Sequence, residues 1–286
     1  RATEKLCEAN NVGGGLSLRV ETGRITPEDL LRRLADEGVA ARRHPLLPAA
    51  LAVERTSDLL RAPSFGEGLC YVQDVASQVL AAWAAPALLG RVLDVCAAPG
   101  GKLTLLAGLR GERRWVAGGD VAPARLELIR QNLARLRLPA TPLLCADGRR
   151  LPFGDGCWDG VVLDVPCSAT GMIRKYPELK WRWSEAGLAA HANLQGALLA
   201  EGARVVRPGG RLLYVTCSLE PEENADAVAA LLAARPDFGR VSFGDLPPPR
   251  GLGEPPGRFV TRAGDFLMLP GADRMGMYGA LLRREG

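Results

Sequence analysis

Apolar residues recur along the first part of the chain with spacings that predict a strand and then a helix. Residues 16–21 alternate between apolar and polar side chains, as a strand with one buried face does. Thr26 and Pro27 favour a helix start, because a capping hydroxyl and a first-turn proline suit a helical N-terminus, and the helix should end near Gly38. Together with the apolar stretch that follows, these segments predict a small α+β domain over residues 1–66.

The remaining chain repeats a different pattern, in which short apolar runs alternate with helical periods. The predicted strands are Arg91–Val95, Trp115–Gly119, Pro142–Ala146, Gly160–Val165 and Arg211–Thr216. The predicted helices are Tyr71–Trp83, Lys102–Leu109, Pro123–Leu136, Glu185–Val206 and Pro221–Ala234. Continuous apolar strands that alternate with helices are typical of a parallel sheet covered on both faces. Residues 67–286 are therefore predicted to form an α/β, doubly wound Rossmann-like sheet, closed by an antiparallel pair within Arg258–Leu282.

Composition narrows the class of protein without identifying an activity. A hydrophobic fraction of 47% and a charged fraction of 24% are ordinary for a globular protein, and a net charge of +4 permits nucleic-acid binding without requiring it. Seven cysteines without Cys-x-x-Cys spacing, beside only two histidines, predict reduced thiols, no metal site and a cytoplasmic protein. We expect no signal peptide and no membrane span, and the start at Arg1 leads us to expect a missing N-terminal part.

A glycine-rich turn follows the first strand of the predicted parallel sheet. Its sequence is Cys96-Ala97-Ala98-Pro99-Gly100-Gly101-Lys102, and small residues there would let a ligand approach the backbone. A tight turn that needs glycine explains this segment equally well on its own. Asp120 and Asp147, which follow the next two strands, favour a nucleotide-like cofactor because carboxylates there can bind ribose hydroxyls or an amino group. The Gly-x-Gly-x-x-Gly fingerprint of dinucleotide sites is absent.

Two cysteines follow two later strands of the same predicted sheet. Cys167 lies in Asp164-Val165-Pro166-Cys167-Ser168, and Cys217 lies in Thr216-Cys217-Ser218. A single cysteine is more often a buried packing residue than a catalytic one. Neighbouring strands lie about 4.8 Å apart, so two thiols at adjacent strand ends could flank one planar substrate. Because thiolates add to electron-poor rings, the pair favours a transfer reaction through a covalent cysteine adduct.

These segments resemble the RsmB/Sun family of RNA cytosine-C5 methyltransferases. The resemblance rests on Asp94–Lys102, Asp164–Gly171, Gly171–Trp181 and Tyr214–Asn224, and it extends over nearly the whole chain. It implies that residues 1–66 form an RRM-like RNA-binding domain and that residues 67–286 form the methyltransferase domain. Two positions depart from the family pattern, namely Glu21 in the first strand and Leu103 after the lysine.

The resemblance also implies roles for the site residues. Cys217 would attack C6 of cytosine, and Cys167 would assist breakdown of the adduct. The segment Cys96–Lys102, Asp120 and Asp147 would hold S-adenosylmethionine, with Asp164 between the cofactor and the base.

A basic and aromatic segment follows the Cys167 loop. We expect Arg174, Lys175 and Lys180 to contact RNA, and Trp181 and Trp183 to anchor the segment on the core. The segment Gly171–Trp181 resembles family members that modify small-subunit (16S) rRNA. Two alternatives stay open: the same chemistry on tRNA, or a catalytically weak RNA-binding factor in ribosome assembly. We expect a monomer.

Overall fold

Two sheets organise the chain. The computed structural model describes residues 2–12, 15–109 and 114–286. The strands are β1 (Leu16–Val20), β2 (Ala41–Arg43), β3 (Ala50–Val53), β4 (Cys70–Val72), β5 (Gly90–Asp94), β6 (Arg114–Asp120), β7 (Leu143–Cys145), β8 (Trp158–Asp164), β9 (Val206–Thr216), β10 (Phe238–Val241), β11 (Phe266–Met268) and β12 (Met277–Arg284). The helices are α1 (Ala2–Asn11), α2 (Pro27–Asp36), α3 (Thr56–Arg61), α4 (Pro63–Gly66), α5 (Val75–Ala84), α6 (Gly101–Gly108), α7 (Pro123–Arg135), α8 (Leu179–Arg182), α9 (Glu185–Val205) and α10 (Ala225–Ala234).

The N-terminal sheet is antiparallel, with strand order β2-β3-β1-β4. Helix α2 begins as predicted, because Thr26 accepts a hydrogen bond from the backbone of Asp29 and Pro27 occupies the first turn. Leu30 and Leu34 of this helix are fully buried with Leu18 of β1. The sheet and this helix therefore share one small apolar core.

The larger sheet is mostly parallel, with the order β10-β12-β9-β8-β5-β6-β7 and β11 paired to β12. Strands β9, β8, β5, β6 and β7 run parallel, and β12 closes the sheet antiparallel to β9. This is the doubly wound arrangement that the sequence predicted. Strands β8 and β9 are neighbours, so the two cysteine-bearing segments leave the same edge of the sheet.

Both faces of the larger sheet are buried. Side chains alternate along β8, so Val162 points into one core, while Val161 and Leu163 point into the other. Helices α6 and α7 cover the first face, and α9 and α10 cover the second. Among the helices within the described residues, none is long and apolar enough to cross a bilayer.

One predicted helix begins later than its apolar period indicates. We expected a helix over Tyr71–Trp83, but Cys70–Val72 forms β4 and pairs with β1. Helix α5 starts only at Val75, because the Asp74 side chain accepts a hydrogen bond from the Ala76 backbone and caps it. Helix α5 then packs against β1, α6 and β12, and so links the two sheets.

Candidate active site

A cavity of about 780 Å³ opens at the carboxyl ends of the parallel strands. Of the residues predicted for cofactor binding and catalysis, those that line it are Cys96, Ala97, Ala98, Pro99, Gly101, Lys102, Asp120, Asp147, Asp164, Cys167 and Cys217. Gly100 lies in the same turn but does not line the cavity; it precedes α6 with a φ of +106°, a conformation that favours glycine. The fold thus brings segments from the ends of five strands, β5 to β9, together at one cavity.

The two predicted thiols meet in this cavity. The Sγ atoms of Cys167 and Cys217 lie 3.2 Å apart. Contact with Cys167 raises the pKa of Cys217 well above its ordinary value, and burial and the nearby Asp164 carboxylate act in the same direction. Lys102 opposes these effects. In this arrangement Cys217 is therefore a protonated thiol at neutral pH.

Lys102 and Asp164 form an ion pair beside the thiols. The Lys102 Nζ lies 2.6 Å from the Asp164 Oδ2. The lysine side chain is only 5% exposed, whereas the aspartate is 38% exposed and faces the cavity. The glycine-rich turn and the end of β8 are thereby linked through one charged hydrogen bond.

Three side chains from two elements, β4 and α7, hold the glycine-rich turn by its carbonyl oxygens. Tyr71 Oη and Asn132 Nδ2 both donate to the Pro99 carbonyl at 3.1 Å. Arg125 Nη2 donates to the Ala98 carbonyl at 2.9 Å. The turn is therefore held from outside, and its shape does not depend on its own backbone hydrogen bonds alone.

Arg19 of β1 reaches the same turn from the N-terminal sheet. Its guanidinium donates to the Gly101 carbonyl at 2.8 Å, to Gln73 Oε1 at 2.9 Å and to Thr104 Oγ1 at 3.0 Å. It also pairs with Glu21 at 2.7 Å. Arg19 was not among the predicted site residues; its one signal in the sequence is a charged side chain in the otherwise apolar strand run Leu18-Arg19-Val20.

The three carboxylates at the carboxyl ends of β5, β6 and β7 have different environments. Asp94 is fully buried with neither oxygen hydrogen-bonded, and burial and the nearby Asp164 raise its pKa to about 8. Asp120 is almost buried, and its Oδ1 accepts from the Ala122 backbone. Asp147 is bound by Arg149 through its side chain and backbone, which lowers the pKa of Asp147 to about 2.

These groups fit S-adenosylmethionine. Asp120 presents a carboxylate to the cavity for a ribose, and Val121 and Leu198 supply apolar walls for a base. Gly148 belongs to this wall, because an added Cβ would lie 2.8 Å from both Leu198 and Val95. Burial raises the pKa of the Cys96 thiol to about 12, so this third cysteine in the cavity is a poor nucleophile.

The basic and aromatic segment after the Cys167 loop is largely exposed. Trp181 is 87% exposed and Trp183 is 46% exposed, so the prediction that they anchor the segment on the core is wrong. The reason is that α8 is a single turn with no buried residue. Lys175 and Lys180 are exposed, and Lys180 Nζ donates to Asn11 Oδ1 at 2.9 Å.

Arg174 occupies a different environment from its neighbours. It is 8% exposed, donates to the Ala272 carbonyl and leaves its Nε without a partner. It lines a second cleft with Ser17 and Arg42 of the N-terminal sheet. In residues 2–12, 15–109 and 114–286, no group of three or more His, Cys, Asp or Glu side chains is arranged to hold a metal ion.

Two known protein families match this chain, one over most of the larger sheet and its helices and the other over the N-terminal residues. Residues 81–281 match the family described as 16S rRNA methyltransferase RsmB/F. Residues 1–59 match the ferredoxin-like domain of RsmF/B-like methyltransferases. The RsmB/F match covers well over half of the chain.

Curated relatives named ribosomal RNA small subunit methyltransferase B are similar to this chain. The protein from Salmonella typhi is 38% identical over 236 residues, which are 82% of this chain and 54% of that protein. The protein from Vibrio cholerae serotype O1 is 34% identical, over 99% of this chain and 62% of that protein. The chain therefore spans between one half and two thirds of the length of these relatives.

Solved structures share the fold over almost the entire chain. The crystal structure of PH0851 has a TM-score of 0.86 and 32% identity, covering 99% of this chain and 62% of that one. A methyltransferase homolog protein from Pyrococcus horikoshii has a TM-score of 0.76 and 26% identity, covering 98% and 90%. With the RsmB/F match over residues 81–281, these similarities show that the chain belongs to the 16S rRNA methyltransferase RsmB/F family.

Proposed function

We propose that this chain is an S-adenosylmethionine-dependent RNA (cytosine-C5) methyltransferase that acts on small-subunit (16S) rRNA through a covalent bond between Cys217 and C6 of cytosine. One observation carries the proposal: the Sγ atoms of Cys217 and Cys167 lie 3.2 Å apart in the cavity lined by the glycine-rich turn. The names of the curated relatives support rRNA as the substrate.

Two thiols suit this chemistry because it requires a bond to form and later to break. Cytosine C5 is a weak nucleophile until a thiolate adds to C6, which moves the ring electrons toward C5. Cys217 would form that bond. After C5 is methylated, its proton must leave so that the C5–C6 double bond returns and the Cys217 sulfur departs. Cys167, in contact with Cys217, would assist this breakdown.

The chain's own charged residues would orient the base and the cofactor. Asp164, held by Lys102, presents its carboxylate between the turn and the thiols and would accept a hydrogen bond from the cytosine edge. The turn Cys96–Lys102, Asp120 and Asp147 would hold S-adenosylmethionine, which supplies an electrophilic methyl group. Arg149 already binds both oxygens of Asp147, whereas Asp120 accepts one hydrogen bond from the Ala122 backbone and lies 3.5 Å from Arg125 Nε.

We propose that RNA reaches this cavity across the N-terminal unit and the basic segment. Residues 1–66 would act as the RNA-binding domain and residues 67–286 as the catalytic domain. Lys175 and Lys180 are exposed to pair with phosphates, while Arg174 would meet RNA only through the cleft that it lines. We further propose that the protein acts as a cytoplasmic monomer.

Methyl transfer to two classes of RNA tests this proposal. Tritiated S-adenosylmethionine would be incubated with protein-free 16S rRNA and, separately, with tRNA, using Cys217→Ala as the control. The proposal predicts label in rRNA that disappears in the variant. Label in tRNA alone would support the same chemistry on the alternative substrate. Cofactor binding without transfer to either RNA would favour a catalytically weak assembly factor.

A further inference from the structure

A buried polar network lies directly behind the two thiols, and neither the sequence motifs nor the proposed chemistry assigns it a role. Ser168 follows Cys167 and Ser218 follows Cys217, and the two serine Oγ atoms lie 3.1 Å apart. Both segments are bound by the consecutive residues Glu223 and Asn224. Glu223 is completely buried and Asn224 is 5% exposed.

Glu223 binds the segment that carries Cys167. One oxygen of its carboxylate accepts the Ser168 backbone N–H at 2.8 Å, and the other accepts the Ser168 hydroxyl. Gln195 of α9 donates to the same carboxylate and to the Pro166 carbonyl, both at 2.9 Å. The residues on each side of Cys167 are thus fixed through one buried carboxylate and its amide partner.

Asn224 binds the segment that carries Cys217. Its Oδ1 accepts from the Thr216 hydroxyl at 2.5 Å, and its Nδ2 donates to the Ser218 carbonyl at 3.0 Å. These two partners flank Cys217 on either side. Tyr214 Oη donates to the Glu223 carbonyl at 2.6 Å, which ties the pair to strand β9 itself.

We propose that Glu223 and Asn224 are positioning residues that set the separation of the two thiols, with Glu223 acting through Cys167 and Asn224 through Cys217. The assignment to reaction steps rests on the proposed function; the geometric claim does not. Removal of the Glu223 carboxylate leaves three buried hydrogen-bond donors without their acceptor: the Ser168 N–H, the Ser168 hydroxyl and the Gln195 amide. Because unpaired buried donors are costly, the Cys167 segment should relax. A displacement of about 1 Å is enough to impair a site in which two side chains must both reach one substrate.

The proposal predicts different defects for the two residues. In the proposed scheme, the Cys167 thiolate takes the C5 proton and becomes a thiol, the C5–H electrons restore the C5–C6 double bond, and the C6–S bond breaks to release Cys217 as a thiolate. Glu223→Ala should therefore accumulate the protein–RNA adduct, as Cys167→Ala should. Asn224→Ala should instead slow formation of the adduct. Glu223→Gln should behave like the parent, because an amide can accept the Ser168 N–H and contact its hydroxyl.

The first experiment requires no RNA. Phenylarsine oxide bridges two thiols only when they are close, so its affinity reports the Cys167–Cys217 separation. Cys167→Ser and Cys217→Ser each leave a single thiol of the pair, and their affinities therefore give the value expected without bridging. We expect Glu223→Ala to weaken this affinity by about tenfold or more. Glu223→Gln should stay close to the parent, and so should Glu222→Ala, which alters the exposed neighbouring glutamate. Parental affinity in Glu223→Ala would overturn the proposal.

Ser168→Ala and Gln195→Ala serve as milder variants should Glu223→Ala fail to fold. Each removes one partner of the carboxylate and should weaken arsenical affinity in the same direction. Unchanged affinity in both would overturn the proposal.

The second experiment measures adduct on denaturing gels with rRNA and S-adenosylmethionine. Adduct in Cys167→Ala but none in Glu223→Ala would reject the step assignment while leaving the proposed function intact. Absence of adduct in Cys167→Ala itself would count against the proposed function. Phenylarsine oxide affinity would then be the test of whether Glu223 sets the separation of the two thiols.

Discussion

Among single residues, Cys217 is the one whose protonation the proposed chemistry depends on most. Its raised pKa means that the thiolate is scarce at neutral pH and increases about tenfold for each pH unit below that pKa. We predict that alkylation of Cys217 by iodoacetamide, followed by peptide mass spectrometry, accelerates steadily from pH 6 to pH 9. Cys167→Ala should shift this profile to lower pH, since contact with Cys167 is the largest cause of the raised pKa. Lys102→Gln should shift it to higher pH.

A rate of alkylation that is flat across this pH range in the parent would contradict the assignment. The exposed Cys145 provides the internal control within each sample. Its rate should be the same in the parent and in both variants, because neither substitution lies near it.

Residue identities at the cavity were predictable because they occur in short motifs that directly follow apolar strands. Parallel strands end at one edge of the sheet, so Asp120, Asp164 and both cysteines had to converge once the strands were recognised. The exposure of Trp181 was not predictable in this way. It depends on whether another element packs over α8, and no local pattern encodes that.

At the scale of elements, the turn after Cys167 is pressed against the end of β9. The Gly171 backbone N–H donates to the Cys217 carbonyl at 2.9 Å, and its own carbonyl accepts from Gly276 at 2.8 Å. A Cβ at Gly171 would lie 2.7 Å from the Cys217 and Gly276 carbonyl oxygens. The atoms that oppose it belong to the backbone, so they cannot rotate away.

We therefore predict that Gly171→Ala lowers the free energy of unfolding by about 1–3 kcal/mol and separates the turn from Cys217. Urea denaturation measures the first effect, and arsenical binding to the two thiols measures the second. Gly154→Ala is the matched control, because an added Cβ there meets nothing within 4 Å. Equal stability of the two variants would show that the turn adapts to the methyl group.

Elements that depend on distant partners were the ones the sequence did not reveal. Strand β4 has only three residues and was predicted as part of a helix, because its apolar residues fit the period of α5. Its strand conformation comes from pairing with β1, about fifty residues earlier in the chain. Strand β10 was likewise missed and owes its place to pairing with β12. Long helices such as α7 and α9, whose periods are local, were predicted closely.

Across the whole molecule, Arg19 joins the N-terminal sheet to the glycine-rich turn. It is 6% exposed, and it pairs with Glu21 while it donates to the Gly101 carbonyl and Thr104. Its side chain also lies over the Tyr71 ring, at 5.1 Å from the ring centroid. Glu21 thus supplies the charge that holds Arg19.

We predict that Arg19→Ala lowers the free energy of unfolding by about 3 kcal/mol, because it leaves a nearly buried glutamate unpaired. It should also weaken S-adenosylmethionine binding, since the turn loses one of its external supports. Calorimetric titration and urea denaturation measure the two effects. Arg32→Ala removes an exposed arginine of the same unit and should change neither. Parental cofactor affinity in Arg19→Ala would show that the two sheets are energetically independent.

In the proposed reaction, the two thiols act at different steps of one covalent cycle. The most direct test incubates the parent, Cys217→Ala and Cys167→Ala with 16S rRNA and S-adenosylmethionine, and quantifies protein–RNA adduct on denaturing gels. We predict that Cys167→Ala accumulates adduct, that Cys217→Ala forms none, and that the parent holds only a small steady-state amount. Adduct in Cys217→Ala, with Cys167 as the remaining thiol of the pair, would show that Cys167 attacks the base and would reverse the two roles.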